Sequence, residues 1–512
     1  MLARARAGCL AGVEARGVDV EVHLGGGLPG FDLVGLPETA VREARVRVRA
    51  ALAQSGFSLP PRRVVLNLAP ADLRKGGGAL DLAIAVALLA AAGRCAPNRL
   101  EDTLLFGELS LSGALRPSRG LLPQLRHARE RGLRRAVVPR AQLAEASWVQ
   151  GLDVGGADDL VSVVGFLDGR VELARPEGAP EPSQGAGGPD LLDVHGQAAA
   201  KRALAIAAAG GHHVLLVGPP GAGKTMLARR LPGILPPPTP EEALDIATIR
   251  SAAGLSPEAG PHGRPFRAPH HTASATALIG GGDPIRPGEV TLAHRGVLFL
   301  DELPEFSRRA IEAFRAVLES GRAVVARARQ RVEMPAAPLV VAAMNPCPCG
   351  YHGTDPMRCR CSPGRVEGYR GRVSGPILDR FDLHVALPAV DLAELTSPST
   401  AEAEGASSAA VRTRATEARA RLAGGAPGSR GGRARDGLRD RVLDLPSDAR
   451  RVLADGGAHL GLSLRGAASA VRVARTVAAL EGRDRPSAAD VAEALGYRLL
   501  EGEDDEARTG GR

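Results

Sequence analysis

Val214-Leu215-Leu216-Val217 runs straight into Gly218-Pro219-Pro220-Gly221-Ala222-Gly223-Lys224-Thr225, and Met226-Leu227-Ala228-Arg229-Arg230 follows with helix-forming character. An apolar strand, a glycine-rich loop ending in Lys-Thr and a helix form the context that a phosphate-binding loop requires. The glycines let backbone N–H groups curl around phosphates, and the N-terminus of the helix adds partial positive charge. Lys224 is suited to the β and γ phosphates of ATP, and the Thr225 hydroxyl to Mg²⁺. A chain with 64 Gly and 39 Pro makes many Gly/Pro-rich turns. The flanking strand and helix, more than the loop composition, therefore carry this reading.

Only three lysines, Lys75, Lys201 and Lys224, stand among 65 basic residues. Where a generic positive charge suffices, this chain uses Arg. A lysine in the loop therefore reads as chemically required, because a compact ammonium and a planar guanidinium are not interchangeable. The same bias makes many of the arginines ordinary surface choices.

The 512 residues give length for roughly three domains, each able to bury its own core. A net charge of +8 and a pI near 9.6 are compatible with a nucleic-acid partner. An aromatic content of 3% leaves few stacking platforms for single-stranded bases. Met1-Leu2-Ala3-Arg4-Ala5-Arg6 leads into mixed sequence without the apolar core of a secretory signal. The longest apolar stretch, Leu82 to Gly93, is too short to span a bilayer. Six cysteines in a chain this long do not make a disulfide framework. A soluble cytoplasmic protein with no membrane partner is the expectation.

Residues 170–190, with Pro176, Pro180, Pro182, Gly185, Gly187 and Gly188, lack periodicity and read as a linker. Before them, strand-like runs such as Val18 to Val22 and Arg63 to Leu68 alternate with helix-like ones such as Thr39 to Ser55. After them, strand-like runs at 214–217, 297–300 and 338–343 alternate with helical segments, which implies a parallel α/β sheet. Beyond about residue 390 the strands stop. Residues 398–437 are Ala/Ser/Arg/Gly-rich and are expected to be irregular in part. Helical patterns follow near 440–455, 465–481 and 487–500, the last opened by Ser487 with Asp490 three residues on.

Val297-Leu298-Phe299-Leu300-Asp301-Glu302 is an apolar strand ending in two carboxylates. Downstream of a P-loop, Asp301 can hold the Mg²⁺ shell and Glu302 can polarise an attacking water. Leu339-Val340-Val341-Ala342-Ala343 leads to Met344-Asn345, where a polar side chain at the strand end can sense the γ-phosphate or orient the water. Gly321 to Met334 holds two alternating runs around a basic tip and predicts a β-hairpin, with Arg327, Arg329 and Arg331 near its end. Cys347-Pro348-Cys349 and Cys359-Arg360-Cys361 pair two CxC units across a turn-rich loop. Four thiolates suit tetrahedral Zn²⁺, although zinc knuckles more often use CxxC; a redox pair or four reduced thiols are the other readings. Cys9 and Cys95 read as core residues.

Gly218 to Thr225, Asp301-Glu302, Asn345 and Ile377-Leu378-Asp379-Arg380-Phe381-Asp382 together resemble AAA+ ATPases of the magnesium-chelatase and MCM branch. Two further stretches, Arg264-Pro265-Phe266-Arg267-Ala268-Pro269-His270-His271-Thr272 and Gly288-Glu289-Val290-Thr291-Leu292-Ala293-His294, narrow the resemblance to the ComM/YifB group of magnesium-chelatase-like proteins. The likeness runs over nearly the whole chain. It implies that Arg380 is an arginine finger offered to a neighbouring subunit's nucleotide, and that Arg465, in Ser463-Leu464-Arg465-Gly466, is the sensor-2 arginine. It also implies that the basic hairpin lines a central pore, where Arg327, Arg329 and Arg331 can track a phosphate backbone.

Phe106-Gly107-Glu108-Leu109-Ser110-Leu111-Ser112-Gly113, Arg119-Gly120-Leu121-Leu122 and Ala136-Val137-Val138-Pro139-Arg140 resemble the Lon-protease-like fold of the ribosomal S5 type. That resemblance puts Ala79 in the place of the nucleophilic Ser and Leu122 in the place of its Lys, and neither can act as nucleophile or base. The implied α/β architecture is an S5/Lon-like noncatalytic α+β domain at 1–169 and the linker at 170–190. An AAA+ P-loop core at 191–392, with the cysteine loop 347–361, and a helical lid at 393–512 of the magnesium-chelatase C-terminal type follow. The implied cofactors are ATP and Mg²⁺, and the implied activity is that of a probable-hexamer, ring-forming DNA translocase or helicase in recombination or natural transformation. A chelatase-type motor that remodels a protein partner and an ATP-switched DNA scaffold without sustained turnover are the alternatives. The family pattern expected at Ala415 to Gly437 is weak or absent, so the lid's geometry is the least defined part of this reading.

Overall fold

The computed structural model describes the chain apart from residues 1, 36–38, 72, 74, 97–98, 179–187, 256–262, 328–329, 356, 390–406, 425–437 and 499–512. The P-loop belongs to a sheet of five parallel strands, in the order Phe266–Arg267, Val297–Leu300, Leu339–Met344, Val214–Val217 and Leu383–Ala386. Both faces are covered, which is why these strands read as continuous apolar runs and not as alternating ones. Val214, Leu216, Phe299 and Val341 enter one core with the helices Ala198–Gly210 and Lys224–Ile234. Leu215, Leu298, Leu300 and Val340 enter another, beneath the helices Pro240–Ala253 and Arg308–Ser320. Val217 pairs with Met344, and Leu300 with Ala342. Gly218, Asp301 and Asn345 therefore emerge at the same carboxyl edge of the sheet, where open α/β sheets bind their ligands.

A second sheet of seven strands lies in the N-terminal part: Gly30–Val34, Arg63–Ala69, Glu14–Gly25, Leu2–Ala11, Thr103–Leu105, Arg135–Pro139 and Asp153–Ala157, in that order. Leu2–Ala11 and Glu14–Gly25 form a long antiparallel hairpin, and the helix Asp81–Ala91 beside it is buried at every residue. This helix is the longest apolar run of the sequence, and its burial in a core explains its composition. Among the described residues no helix is long and apolar enough to cross a membrane.

The two sheets are joined by packing as well as by chain. The helix Leu121–Glu130 lies against Pro240–Ala253: Leu122 N–H donates to Ser251 Oγ at 3.2 Å, Gly120 N–H to Ser251 O at 2.9 Å, and Arg126 pairs with Asp245 at 2.9 Å. Within 170–190, Leu173 is buried and Ala174 bridges to Gly156, so the beginning of this segment is held against the N-terminal sheet.

The C-terminal part is helical: Ser408–Gly424, Leu438–Leu443, Ser447–His459, Leu464–Leu480 and Ala488–Gly496. Ser487 and Asp490 form the reciprocal cap that their spacing predicts. The first of these helices is a correction, because its residues fall in the stretch expected to be irregular. Its buried face is Ser408, Val411, Ala415 and Ala418, too small to show as an amphipathic period, and Arg419 fastens it by donating to Ala208 O at 2.7 Å. Residues 425–437, the rest of that stretch, lie outside the described residues. Asp382 locks the helices to the sheet: it is buried, lies 2.6 Å from Arg472, and also meets Ser469 and His212. Burial opposes its ionisation, but the His212 hydrogen bond and the charges around it, Arg472 foremost among the arginines, hold its carboxyl well below the ordinary carboxylate range.

Candidate nucleotide site

Gly221 (φ +80°) and Gly223 (φ +86°) occupy left-handed backbone conformations that only glycine adopts without strain, and they turn the loop into the helix Lys224–Ile234. Lys224 Nζ donates to Gly218 O at 2.7 Å, to Pro219 O at 2.9 Å and to Asn345 Oδ1 at 3.0 Å. The ammonium thus bridges the loop and the neighbouring strand end. Partial burial lowers its pKa, opposed by the charges of Asp301 and Glu302. Thr225 Oγ1 donates to Asp301 Oδ2 at 3.0 Å, and Asp301 Oδ1 accepts the Glu302 N–H at 3.0 Å. A hydroxyl and a carboxylate at this spacing fit Mg²⁺, which takes oxygen ligands, few of them from protein and the rest from water and phosphate. ATP and Mg²⁺ are the cofactors that this donor set suits.

Glu302 stands at φ +53°, a rare conformation for a residue with a side chain and one that clusters at active sites. Its Oε2 lies 3.0 Å from His271 Nδ1. His271 is set by a tight turn: its ring centroid is 4.1 Å from that of His270, whose Nδ1 accepts the Thr272 N–H at 3.3 Å. Sequence reading treated His270-His271 as a family signature and gave neither residue a role. The two signature stretches also hold each other, through paired contacts of 2.6 and 2.8 Å between Arg267 and Glu289. Arg264 is buried on Glu242 and the carbonyls of Pro236 and Arg295, each at 2.7 Å. His294 accepts the Ala337 N–H at 3.0 Å, and burial pushes its pKa down to about 4. Most of these signature residues are structural, and His271 is the one that reaches the carboxylate pair.

Arg380 and Arg465 lie elsewhere. Arg380 is buried and turned to Glu319 and to the Pro376 carbonyl of its own chain. Burial lowers its pKa, and the nearby charges of Arg465 and Arg315 add to this. Arg465 is exposed on the first turn of Leu464–Leu480, a helix capped by Ser463. The structure therefore brings these two arginines near one another but joins neither to the hydrogen bonds around Lys224 and Thr225.

The predicted hairpin is present, as Arg322–Arg327 paired with Gln330–Pro335. Arg327 and Arg331 are exposed, Arg331 lying 2.9 Å from Glu333; Arg329 falls outside the described residues. Val332 and Met334 pack into one core with Val13, so the hairpin rests on the turn of the N-terminal strands. A cleft of about 780 Å³ opens there, with Arg6, Arg16, Arg131, His127 and Arg331 on its walls and Asp19 as the acid among them.

Cys347, Cys349, Cys359 and Cys361 place their four sulfurs within 4.8 Å of one another. Cys347–Cys349 at 3.3 Å and Cys349–Cys359 at 3.7 Å are close to the ~3.8 Å edge of a tetrahedron with Zn–S bonds of ~2.3 Å. The four thiols fit a zinc ion. Cys9 and Cys95 are buried, and burial lifts the Cys95 thiol to about 12, as for an inert core residue. Ala79 packs against the cluster that contains the buried Leu122, and neither side chain carries a hydroxyl or an amine.

With this geometry in view, the matches to known proteins are informative. The family model described as magnesium chelatase, subunit ChlI, matches residues 190–395; subunit ChlI of Mg-chelatase matches 20–142, and the ChlI C-terminal model matches 405–498. The chain is 43% identical over 495 residues to the protein YifB of Salmonella typhimurium, covering 96% of each chain. The chain belongs to the ComM/YifB-type family of magnesium-chelatase-like AAA+ ATPases. Other members include the competence protein ComM of Haemophilus influenzae, 42% identical over 501 residues and 96% of each chain. A Mycobacterium tuberculosis protein, Rv2897c, is 43% identical over 507 residues, covering 97% of this chain and 98% of its own. The α/β P-loop sheet with a helical C-terminal region is the architecture of this ATPase family, and it supports nucleotide hydrolysis.

Proposed function

We propose that the chain is a ring-forming, ATP-driven motor that translocates on DNA, acting as a helicase or branch-migration enzyme in recombination or natural transformation. The observation that carries the reading is the seat of the basic hairpin. Arg331 lines a cleft whose other wall supplies Arg6, Arg16 and Arg131, and Arg327 is exposed on the same hairpin. A run of guanidinium groups of this kind suits the phosphate backbone of a duplex or single strand, bound without regard to sequence and with strong salt dependence. The printed name of the Haemophilus relative, a competence protein, agrees with work on incoming DNA.

In this reading Lys224 and the loop 218–225 bind the phosphates, Thr225 and Asp301 hold Mg²⁺, Glu302 polarises water and Asn345 orients it. Arg380 leaves Glu319 to serve a neighbour's nucleotide, with Arg465 as the lid's contribution, and the ring is a hexamer. The N-terminal unit, of S5/Lon-like type, serves assembly or DNA contact: Ala79 and Leu122 leave it without proteolytic chemistry. The same absence disfavours a proteolytic ATPase, and the N-terminal unit itself disfavours a simple chelatase motor.

The test is steady-state ATP hydrolysis with no DNA, with single strands and with a branched junction, at two salt concentrations. Salt-sensitive stimulation, strongest on the junction, is the expected result. Hydrolysis indifferent to every DNA would overturn the reading in favour of a protein partner.

A further inference from the structure

The cysteine loop touches the nucleotide site at both of its ends and at Gly350, just past its first CxC unit. At its start, Met344 ends the sensor strand, Asn345 holds Lys224, and only Pro346 separates Asn345 from Cys347. At its finish, Ser362 follows Cys361 and opens the helix Pro363–Arg370. That helix returns to the same point: the buried Tyr369 hydroxyl meets the Asn345 backbone, and Arg370 Nε donates to Pro346 O at 3.3 Å. Between the two ends, Gly350, at φ +88°, lies flat against the P-loop. A Cβ built there would stand 2.5 Å from Cδ and 2.8 Å from Cγ of Pro220. The loop is a closed circuit whose two ends meet at the sensor and whose first turn, at Gly350, braces the phosphate-binding turn.

Such a circuit needs a fastener. Apart from its own turns, such as Gly350 N–H to Cys347 O at 3.0 Å and His352 N–H to Cys347 Sγ at 3.4 Å, the described residues of its middle are mostly exposed, Met357 among them, with Cys347 as its buried cysteine. The sulfur cluster is the one grouping of metal-ligating side chains found among the described residues. A tetrahedral ion there would join the two CxC units and remove the entropy of an open loop, as a crosslink does.

We propose that zinc held by Cys347, Cys349, Cys359 and Cys361 is the anchor of the nucleotide site, fixing Asn345 and bracing Pro220 so that nucleotide affinity depends on the metal. This deepens the assignment of 218–225 as the nucleotide site. The experiment uses the full-length chain without DNA. Metal content is measured by elemental analysis, zinc is withdrawn by a mercurial thiol reagent with a chromogenic indicator following its release, and a fluorescent ATP analogue reports affinity. About one zinc per chain is expected, with affinity falling about tenfold or more in step with release, the scale of loss that small misplacements of positioned groups produce. Thiol plus zinc should restore it.

Cys361→Ser should lose both zinc and affinity. Gly350→Ala keeps all four sulfurs and separates the brace from the fold: it should retain zinc, as shown by elemental analysis, and still lose affinity. A chain that takes up no zinc, zinc-free protein that binds the analogue as before, or Gly350→Ala with unchanged affinity would each overturn the anchor. Zinc-loaded wild type that binds no nucleotide would instead overturn the assignment of the site itself.

Discussion

Two ends of the nucleotide machinery are organised differently. Around the P-loop, Lys224 already holds Asn345, Thr225 holds Asp301, and Glu302 faces His271, all at 3.0 Å. Around the lid, Arg380 is turned inward to Glu319, with Arg465 exposed beside it. The first set converges on one point of one sheet edge. The second presents two cations with no shared anionic ligand at that edge. One chain thus carries a preorganised binding half, whereas Arg380 is committed to its own Glu319 and Arg465 faces solvent.

Mutations at the two ends should separate binding from hydrolysis. Arg380→Ala should lower hydrolysis about 10³-fold or more, the scale of a trans arginine, while leaving nucleotide affinity near wild type. Loss of affinity as well would make Arg380 a fold residue and erase the contrast. Glu302→Gln should cut turnover about 10²–10⁴-fold with ATP still bound. Lys224→Ala should lose binding itself, as read by the fluorescent analogue. Wild-type turnover in Glu302→Gln would remove this carboxylate from the mechanism.

The joint between the halves can be loosened without touching either. Asp382→Ala removes the partner of Arg472, Ser469 and His212 and should cost about 1–3 kcal/mol, read as a lower denaturation midpoint. The sign of the pH effect follows from the lowered pKa values. A carboxylate held below its unfolded value stabilises the fold above pH ~4, and that contribution fades as pH falls further. His294 and His384, each pushed down to about 4 by burial, must charge on unfolding. Their contribution begins to fade as pH drops below ~6.5 and is lost by about 4. Denaturant midpoints at pH 7, 5.5 and 4.5 should therefore decline in order; a flat series would contradict these burial effects.

Smaller effects are expected further out. Arg327→Ala combined with Arg331→Ala should weaken DNA binding across all sequences and reduce the salt slope by about two. His271→Ala should change turnover by less than about tenfold, and less than Glu302→Gln does, because it positions the carboxylate and does not replace it.

The P-loop edge was largely legible because its chemistry is contiguous in sequence: an apolar strand and the polar residue at its end sit side by side at 217–218, 300–301 and 344–345. The His271–Glu302 contact was not, since it joins a turn to a distant strand end and no spacing rule links them. Ser408–Gly424 was missed for another reason. A helix that packs through alanine and serine buries little apolar area per residue, so its period is faint amid arginines. The four cysteines could be grouped by their spacing, but the close approach of Gly350 to Pro220 is only visible in three dimensions.

The packing of Val332 and Met334 on Val13 has a mechanical consequence. Exposing such side chains to water would cost about 1.5–3 kcal/mol each. The same two side chains also share that core with Leu278, Val290 and Phe314 of the P-loop part, so a hairpin shifted alone would have to expose them on both sides. The hairpin is thus a rivet between the N-terminal strands and the nucleotide-binding part, and not a loose finger.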